Sequence, residues 1–574
     1  MRIGYPGLGA ILLLGVRAIA APDFPAYSVT DLKALGVWPV AMNENGQVVG
    51  RACCGRQSVG PVVYVAGEVR DLGLPAGGYT SFTPEEINDS GWVVGYAVMP
   101  SPDIVVRRFS AALHDGNDWK VIDTSAFGAV TLGTAVNNAG QVIGTTENKF
   151  DGRFTAWLYD GGTAISIGPA FISYAGAISE NGQVVGTRGF DFEATPWAYS
   201  DGRTTYLPGP GKAFAINDAA TVLIWVPPAD HPGSQTPGYY AIIEGGLWSR
   251  LSMWVGAMNE RSDVVGSAGN HAALYRAGTT VDLGTLGGGS SQADSINNRG
   301  QIAGWSLDAT GATRAFVYDD GVMLDVASLR GVGSALKFGS AVTLYTGIND
   351  SMQLLVRGTT GPDTLDAAYL LTPIAPTVTL TAKPTQAPVR QPVALAWVSE
   401  NANSCVASGG TAGDGWAGTR PTTGEATVTS GATGAVQYAI RCTAGPLPGE
   451  ATVSVRYEAA PPTVRLSATP SESRVGKSVT LAWTSEGADS CVATGGRPGD
   501  GWTGTLATSG QTAISETTRG VVEYGLLCTT ATLASEAKVS VTYTKKSGGG
   551  SLDALGVLLL GLGLSRRKVN LKVL

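Results

Sequence analysis

Histidine and charged residues are scarce in this sequence. The chain has 574 residues, of which 3 are His. Asp, Glu, Lys and Arg together make up 15% of the residues, and the net charge is −7. Lys/Arg runs are absent outside the extreme C-terminus, which argues against a nucleic-acid partner. GxSxG, HExxH, P-loop and EF-hand patterns are also absent. We therefore predict no catalytic residue, no metal site and no cofactor.

One phrase, by contrast, is abundant. A small apolar pair, an Asn, a turn and Gly-Gln-Val-Val-Gly, or something close to it, recur eight times at a step of about 44 residues. The Asn position is occupied by Asn43, Asn88, Asn137, Ser179, Asn217, Asn259, Asn297 and Asn349. Asn and Gly favour tight turns and Val and Ile favour strands, so each phrase predicts a β-hairpin.

A second hairpin phrase follows in nearly every copy, as in VVYVAGEVRDLG (62–73). Four strands per unit of this length predict an all-β chain with an eight-bladed β-propeller over 27–374. In this interpretation YSVTDLKALG, from Tyr27, supplies the first strand of unit one. Seven blades plus a displaced hairpin, or an open solenoid, are the alternatives.

The segment 271–321 carries a resemblance as well. With His271-Ala272-Ala273 and Arg314-Ala315-Phe316 it is similar to the bacterial extracellular HAF repeat. The similarity covers about 27–374 and is weak in unit five, where AINDAATVLIW lacks both glycines. The resemblance implies an exported repeat protein and brings no catalytic residues.

A different duplication begins at Pro376. The segments 376–459 and 462–544 align with a constant offset of 86 residues, which indicates two tandem domains. Alternating strands, an early Trp and a Tyr four residues before the second Cys resemble bacterial immunoglobulin-like sandwiches. Equal separations in the two copies predict two disulfides, each tying a loop after the Trp strand to the late Tyr strand: Cys405–Cys442 and Cys491–Cys528.

Cys53 and Cys54 are adjacent and have no other partner in the sequence. A strained vicinal disulfide and free or intermolecular thiols are the two alternatives.

Both chain ends suggest processing. Residues 1–21 have the shape of a secretory signal peptide, with signal peptidase expected to cut near Ala20 or Ala21. A Gly-rich stalk (545–551, with Gly548, Gly549 and Gly550) and an apolar, then basic, segment (552–574) resemble the GlyGly-CTERM sorting signal. That resemblance implies Gram-negative surface localisation, transient inner-membrane anchoring and cleavage by rhombosortase.

Four acidic residues recur at one place in the repeat: Asp31, Asp71, Asp282 and Asp325. A ring of metal ligands is one interpretation, and a structural turn or a hydrogen bond between blades is favoured because active sites are normally asymmetric.

Strand parity predicts where a ligand would bind. In an antiparallel meander the two tight turns of each unit share one face, and the longer, irregular links lie opposite. Loops of uneven length on a repetitive scaffold often house recognition, although neutral insertions are an equal alternative. The candidate ligand residues on this face are Trp225, His231, Tyr239 and Tyr240.

We therefore expect a non-catalytic surface binding or adhesion protein with an extracellular ligand, either a glycan or a protein. A secreted propeller hydrolase or lyase acting on extracellular polysaccharide is the alternative. A structural envelope spacer is a third hypothesis.

Overall fold

The computed structural model of this chain describes residues 24–58, 60–100, 108–148, 151–190, 193–228, 238–337, 343–361 and 364–545. The predicted signal peptide, His231 and the tail from Gly548 lie outside these ranges. The described residues form 48 strands and two short 3-10 helices, Val326–Ser328 and Gly333–Ala335. None of the described helices has the length and apolar character that a membrane crossing requires. The fold is therefore all-β.

After a first strand, β1 (Ala26–Asp31), the chain forms consecutive four-stranded antiparallel sheets. Sheet 1 contains β2 (Val37–Met42), β3 (Val48–Ala52), β4 (Pro61–Val65) and β5 (Glu68–Asp71). Sheet 2 contains β6 (Ser81–Ile87), β7 (Val93–Met99), β8 (Arg108–His114) and β9 (Trp119–Val121). Sheet 3 contains β10 (Val130–Val136), β11 (Val142–Asn148), β12 (Arg153–Tyr159) and β13 (Ala164–Ser166). Sheet 4 contains β14 (Ser173–Ile178), β15 (Val184–Arg188), β16 (Thr195–Ser200) and β17 (Arg203–Tyr206).

The same plan continues along the chain. Sheet 5 contains β18 (Lys212–Ile216), β19 (Val222–Val226), β20 (Tyr239–Glu244) and β21 (Leu247–Leu251). Sheet 6 contains β22 (Trp254–Met258), β23 (Val264–Ala268), β24 (His271–Arg276) and β25 (Thr279–Gly284). Sheet 7 contains β26 (Gly287–Ile296), β27 (Ile302–Asp308), β28 (Thr313–Asp319) and β29 (Val322–Asp325). Sheet 8 contains β30 (Thr343–Ile348), β31 (Leu354–Gly361), β32 (Thr364–Ile374) and, at its outer edge, β1.

The repeated Asn residues join these sheets into a closed ring. Each buried Asn donates from Nδ2 to the backbone oxygen of its counterpart in the next sheet, as Asn43 does to Asn88 at 2.7 Å and Asn297 to Asn349 at 3.0 Å. Sheet 4 has Ser179, and there Asn181 Nδ2 donates to Asp218 O at 3.0 Å instead. Asn349 donates to Asn43 O at 3.1 Å and closes the ring. A β-propeller arrangement follows, with the first strand of each sheet innermost.

The position of β1 corrects one expectation. YSVTD was expected to begin unit one, but β1 pairs with β32, from Ala26 opposite Ile374 to Asp31 opposite Tyr369. The repeat is cyclic, and its last unit supplies three strands from its own segment. The N-terminal strand therefore completes sheet 8. Antiparallel hydrogen bonding between the two ends of the ring satisfies a sheet edge that would otherwise be open.

The last Gly of the hairpin phrase is explained by close approach in sheets 3 and 4. A Cβ built on Gly144 would lie 2.1 Å from Leu132 O and 2.2 Å from the Trp157 ring. Gly186 stands in the same relation to Trp197. Glycine is thus required at these two positions, where the neighbouring strand presents a large ring. Sheet 5 has the reverse pairing, Ile224 opposite Ala241.

The first C-terminal repeat packs two sheets around one core. One sheet has β33 (Thr377–Lys383), β35 (Val393–Glu400) and β38 (Thr423–Val428). The other has β34 (Gln386–Pro388), β36 (Ser404–Gly409), β37 (Gly418–Arg420), β39 (Gly434–Ala444) and β40 (Leu447–Glu458). Both sheets contribute to the buried cluster that contains Trp397, Trp416 and Tyr438, which makes the unit an immunoglobulin-like β-sandwich.

The second repeat has the same topology. Its sheets contain β41 (Thr463–Thr469), β43 (Ser478–Glu486) and β46 (Ser509–Ser515), and β42 (Glu472–Arg474), β44 (Ser490–Gly495), β45 (Thr505–Leu506), β47 (Gly520–Thr529) and β48 (Ala534–Thr544). The predicted disulfides Cys405–Cys442 and Cys491–Cys528 are both present. Cys405 was expected in a loop, but it lies on β36 directly opposite Cys442 on β39. Each bridge therefore joins neighbouring strands of one sheet.

Candidate functional site

The ring has two distinct faces, as strand parity predicted. Side chains connect the two tight turns within single sheets: Gln141 Nε2 donates to Asp160 at 3.0 Å, and Gln301 Nε2 to Asp319 at 2.9 Å. Both tight turns therefore lie on one face, which we call the Asn-turn face. The links from second to third strand and from sheet to sheet lie at the opposite strand ends, and we call that side the long-link face.

Acidic groups on the Asn-turn face serve the ring itself. The residue after each Asn is Glu, Asp or Asn, and most of these side chains accept the backbone N–H of the preceding turn. Glu44 N donates to Asp89 at 2.9 Å, and Asp350 N donates to Glu44 at 2.6 Å. Burial raises the pKa of Glu44, Glu180 and Glu260. Among the described residues no group of three or more His, Cys, Asp or Glu could hold a metal ion.

The recurring carboxylates of the second phrase also close turns. Asp71 and Asp282 each accept the N–H two residues ahead at 2.9 and 2.8 Å, as Asp325 does at 2.8 Å. Asp31 accepts from Ala34 N at 2.9 Å. The hydrogen bonds therefore support a structural role in turns for these four residues.

Cys53 and Cys54 are separate thiols in this structure. Burial, together with the neighbouring Cys54, raises the pKa of Cys53 to about 12. A protonated thiol is a poor nucleophile.

The described candidate ligand residues on the long-link face divide between two sides of sheet 5. Trp225 lies on β19, with Lys212 Nζ 5.5 Å from its ring centroid, and Tyr240 is its cross-strand partner on β20. Tyr239 contacts Trp248 and Arg250, both on the outermost strand β21. Tyr240 instead contacts the innermost strands β18 and β22.

Tyr240 joins two rings that the sequence did not single out. Its ring centroid lies 5.8 Å from that of Phe214 on β18 and 5.7 Å from that of Trp254 on β22. Trp254 is 60% exposed and Phe214 is 37% exposed. We call Phe214, Tyr240 and Trp254 the aromatic trio. Two adjacent sheets thus present large, partly exposed rings together, and contiguous apolar patches of this kind mark interaction sites in many proteins.

Two departures from the repeat produce the aromatic trio. Tyr240 pairs with Trp225, and the residues at the same place in the other seven sheets are Pro61, Ala111, Ala156, Pro196, Ala272, Ala315 and Ala368. Phe214 is the unpaired residue of a β-bulge that the first strands of sheets 1 to 7 share, and the other sheets carry a smaller or polar residue there: Val40, Glu85, Thr134, Gly176, Gly256 and Asp294. A bulge re-aims a side chain. The sequence signal for this cluster was the departure of unit five from the repeat phrase.

Polar groups occupy the corresponding part of other sheets. Asp294 is the bulge residue of sheet 7, and it accepts from Thr346 N at 3.1 Å and Gln292 Nε2 at 3.2 Å. Burial raises the pKa of Asp294 to about 7. Glu85, the bulge residue of sheet 2, also has a raised pKa because of burial, opposed by the charge of Arg51. The inner strands thus carry the exposed rings of Phe214 and Trp254 on sheets 5 and 6, and the carboxyl groups of Glu85 and Asp294 on sheets 2 and 7.

No protein-family model matches this chain, and no curated protein is similar to it. Among solved structures it resembles the β-propeller domain of the Trilobed protease from Pyrococcus furiosus, at 13% identity over 52% of this chain and 97% of that chain, with a TM-score of 0.32. The Pyrococcus horikoshii acylaminoacyl peptidase matches at 11% identity over 55% of this chain and 57% of that chain, with a TM-score of 0.32.

Fibronectin(III)-like modules of Clostridium thermocellum CbhA match at 14% identity over 29% of this chain and 95% of those modules, with a TM-score of 0.14. Similarity at this level says nothing about ligand or activity.

Proposed function

We propose that this chain is an exported, surface-sorted binding protein in which an eight-bladed β-propeller holds an extracellular ligand at the long-link face. The observation that supports this proposal best is the aromatic trio. Tyr240 stands where the scaffold otherwise uses Ala or Pro, so the fold does not require a ring at that place. Exposed aromatic side chains offer a large contact area at low conformational-entropy cost.

Export is supported by the cysteines, because structural disulfides persist in oxidising compartments. We propose that signal peptidase cuts near Ala20 or Ala21 and that rhombosortase cuts near Gly548–Gly550. Mass spectrometry of both termini of surface-localised protein tests these cuts. An intact Leu574 on that protein would contradict the second cut and leave the first untouched.

The binding proposal is tested with the processed, purified protein on immobilised extracellular polymers, with retention and product release scored together. Tyr240→Ala and Trp254→Ala should each weaken retention at least tenfold. Tyr206→Ala is the matched control, because Tyr206 is 56% exposed on the outermost strand of sheet 4. Equal retention by all three variants would contradict a binding site at the aromatic trio. If the unaltered protein is not retained, the spacer hypothesis is favoured.

A hydrolase or lyase acting on extracellular polysaccharide is a second candidate. Asp294 favours it, because a carboxylic acid whose pKa lies near 7 can donate a proton during glycoside cleavage. Release of shortened products that stops in Asp294→Asn would support this activity. Retention without product release would favour binding alone.

A further inference from the structure

One position in the repeat brings cations and aromatic rings together in three sheets. The position is the residue eight places after the repeated Asn, which lies near the long-link end of the second strand. Its partner is the residue opposite it on the first strand. The cation lies 5.5 to 5.6 Å from the ring centroid in the pairs Arg51 with Trp38, Lys212 with Trp225 and Arg357 with Tyr345. A guanidinium that lies on a ring loses less freedom when it binds a ligand.

Two of these cations are arginines on adjacent sheets. Arg357 of sheet 8 donates from Nη1 to Pro39 O on the first strand of sheet 1, at 3.0 Å. The Arg51 guanidinium of sheet 1 lies 5.6 Å from the ring centroid of Trp38 on the same first strand, and its charge lowers the pKa of Glu85 on the first strand of sheet 2. The two guanidinium groups therefore both lie beside the first strand of sheet 1. We call Arg51 and Arg357 the arginine pair.

Ring order places the arginine pair across from the aromatic trio. The Asn hydrogen bonds fix the sequence of sheets, and in a ring of eight the first sheet is opposite the fifth. Arg51 therefore lies across the ring from Phe214 and Tyr240. All of these side chains belong to the inner two or three strands of their sheets.

The charge of the arginine pair is only partly offset by nearby acids. Burial raises the pKa of Asp294 to about 7, so this carboxyl group carries less negative charge near neutral pH than an exposed one. Guanidinium groups keep their charge. Arginine also matches the two oxygens of a carboxylate or sulfate with a pair of parallel N–H groups.

Resting on the proposed function, we propose that the ligand is an acidic polysaccharide. The apolar C–H faces of its sugar rings pack on Phe214, Tyr240 and Trp254, and its anionic groups bind Arg51 and Arg357. The net charge of −7 opposes non-specific attraction of a polyanion, so such binding has to come from a local site.

The test measures retention of the processed protein on polygalacturonate, dextran sulfate and neutral dextran, each immobilised at equal density. Retention on at least one acidic polymer should exceed that on dextran at least tenfold, and higher salt should reduce it. The double variant Arg51→Gln/Arg357→Gln should lose this preference, and Arg51→Lys/Arg357→Lys should keep part of it.

Arg250→Gln is the matched control, since Arg250 lies 4.2 Å from the Tyr239 ring centroid but on the outermost strand of sheet 5. Its preference should be unchanged. Equal retention on dextran and the acidic polymers, still dependent on Tyr240 and Trp254, would overturn the acidic class and leave the binding function standing. No retention on any polymer would overturn both, whereas acidic retention that the double variant does not reduce would overturn the role of the arginine pair and leave the binding function standing.

Discussion

Replacing Asn297 with Ala should destabilise the ring by about 2 to 4 kcal/mol. The buried side chain donates to Asn349 O at 3.0 Å and Gln301 Oε1 at 2.9 Å, and it accepts from Gln301 N at 2.9 Å and Arg299 N at 3.1 Å. Each net hydrogen bond contributes about 0.5 to 1.5 kcal/mol, and a buried group left without a partner costs about 1 to 3 kcal/mol. Alanine removes all four bonds at once.

Scanning calorimetry of the full chain measures the effect. At about 2 °C per kcal/mol for a large domain, the ring transition should fall by roughly 4 to 8 °C. The unfolding transitions of the two sandwiches serve as an internal reference, because Asn297 lies in the ring. Asn297→Ser should lose less, because Ser179 accepts from Gln183 N at 3.1 Å in sheet 4. Asn117→Ala, on an exposed turn, is the control, and a shift no larger than in that control would refute the reasoning.

Removing the pair Cys405 and Cys442 should destabilise the first sandwich by about 4 kcal/mol by chain entropy, which denaturant unfolding of C405A/C442A measures against the untouched second sandwich. Burial favours the neutral form of the Asp294 carboxyl group. Its contribution to stability is therefore fully present below the ordinary pKa of 3.8 and is lost as the pH rises through about 7. Melting temperatures from pH 4 to 8 should therefore fall more in the unaltered protein than in Asp294→Asn, and parallel curves would contradict the assignment. The link 226–238 begins with Val226, which is buried on β19, so its replacement by a short Gly-Ser turn starts at 227. This variant should leave thermal unfolding largely unchanged and weaken retention on polymers. Undiminished retention, together with a loss of retention when the Asn turns are changed, would reverse the assignment of faces.

Local chemistry explains what the sequence predicted well. The Asn and Gly turns and the Val-rich strands specify hairpins within about twenty residues, so the four-stranded sheets and the parity of their turns followed directly. The disulfides followed from equal separations in two copies. The place of β1 did not follow, because a cyclic repeat can begin at any strand and the pairing of Tyr27 with Pro373 joins distant parts of the chain.

The site was predictable only in part. Tyr240 was selected for its place beside an irregular link, but Phe214 and Trp254 reach it from other strands, and Trp254 from another sheet. Contacts between sheets depend on ring geometry, which the linear pattern does not contain. Tyr239 was selected for the same reason as Tyr240, yet alternation along β20 places it against Trp248 instead.

Hydrogen–deuterium exchange of the processed protein, with and without a retained polymer, tests the central claim most directly. We predict slower exchange at the long-link ends of β18, β20 and β22, and in β3 and β31 if the polymer is acidic. The Asn turns and the two sandwiches should exchange as before. Protection confined to the Asn-turn face or to the sandwiches would contradict a binding site at the aromatic trio.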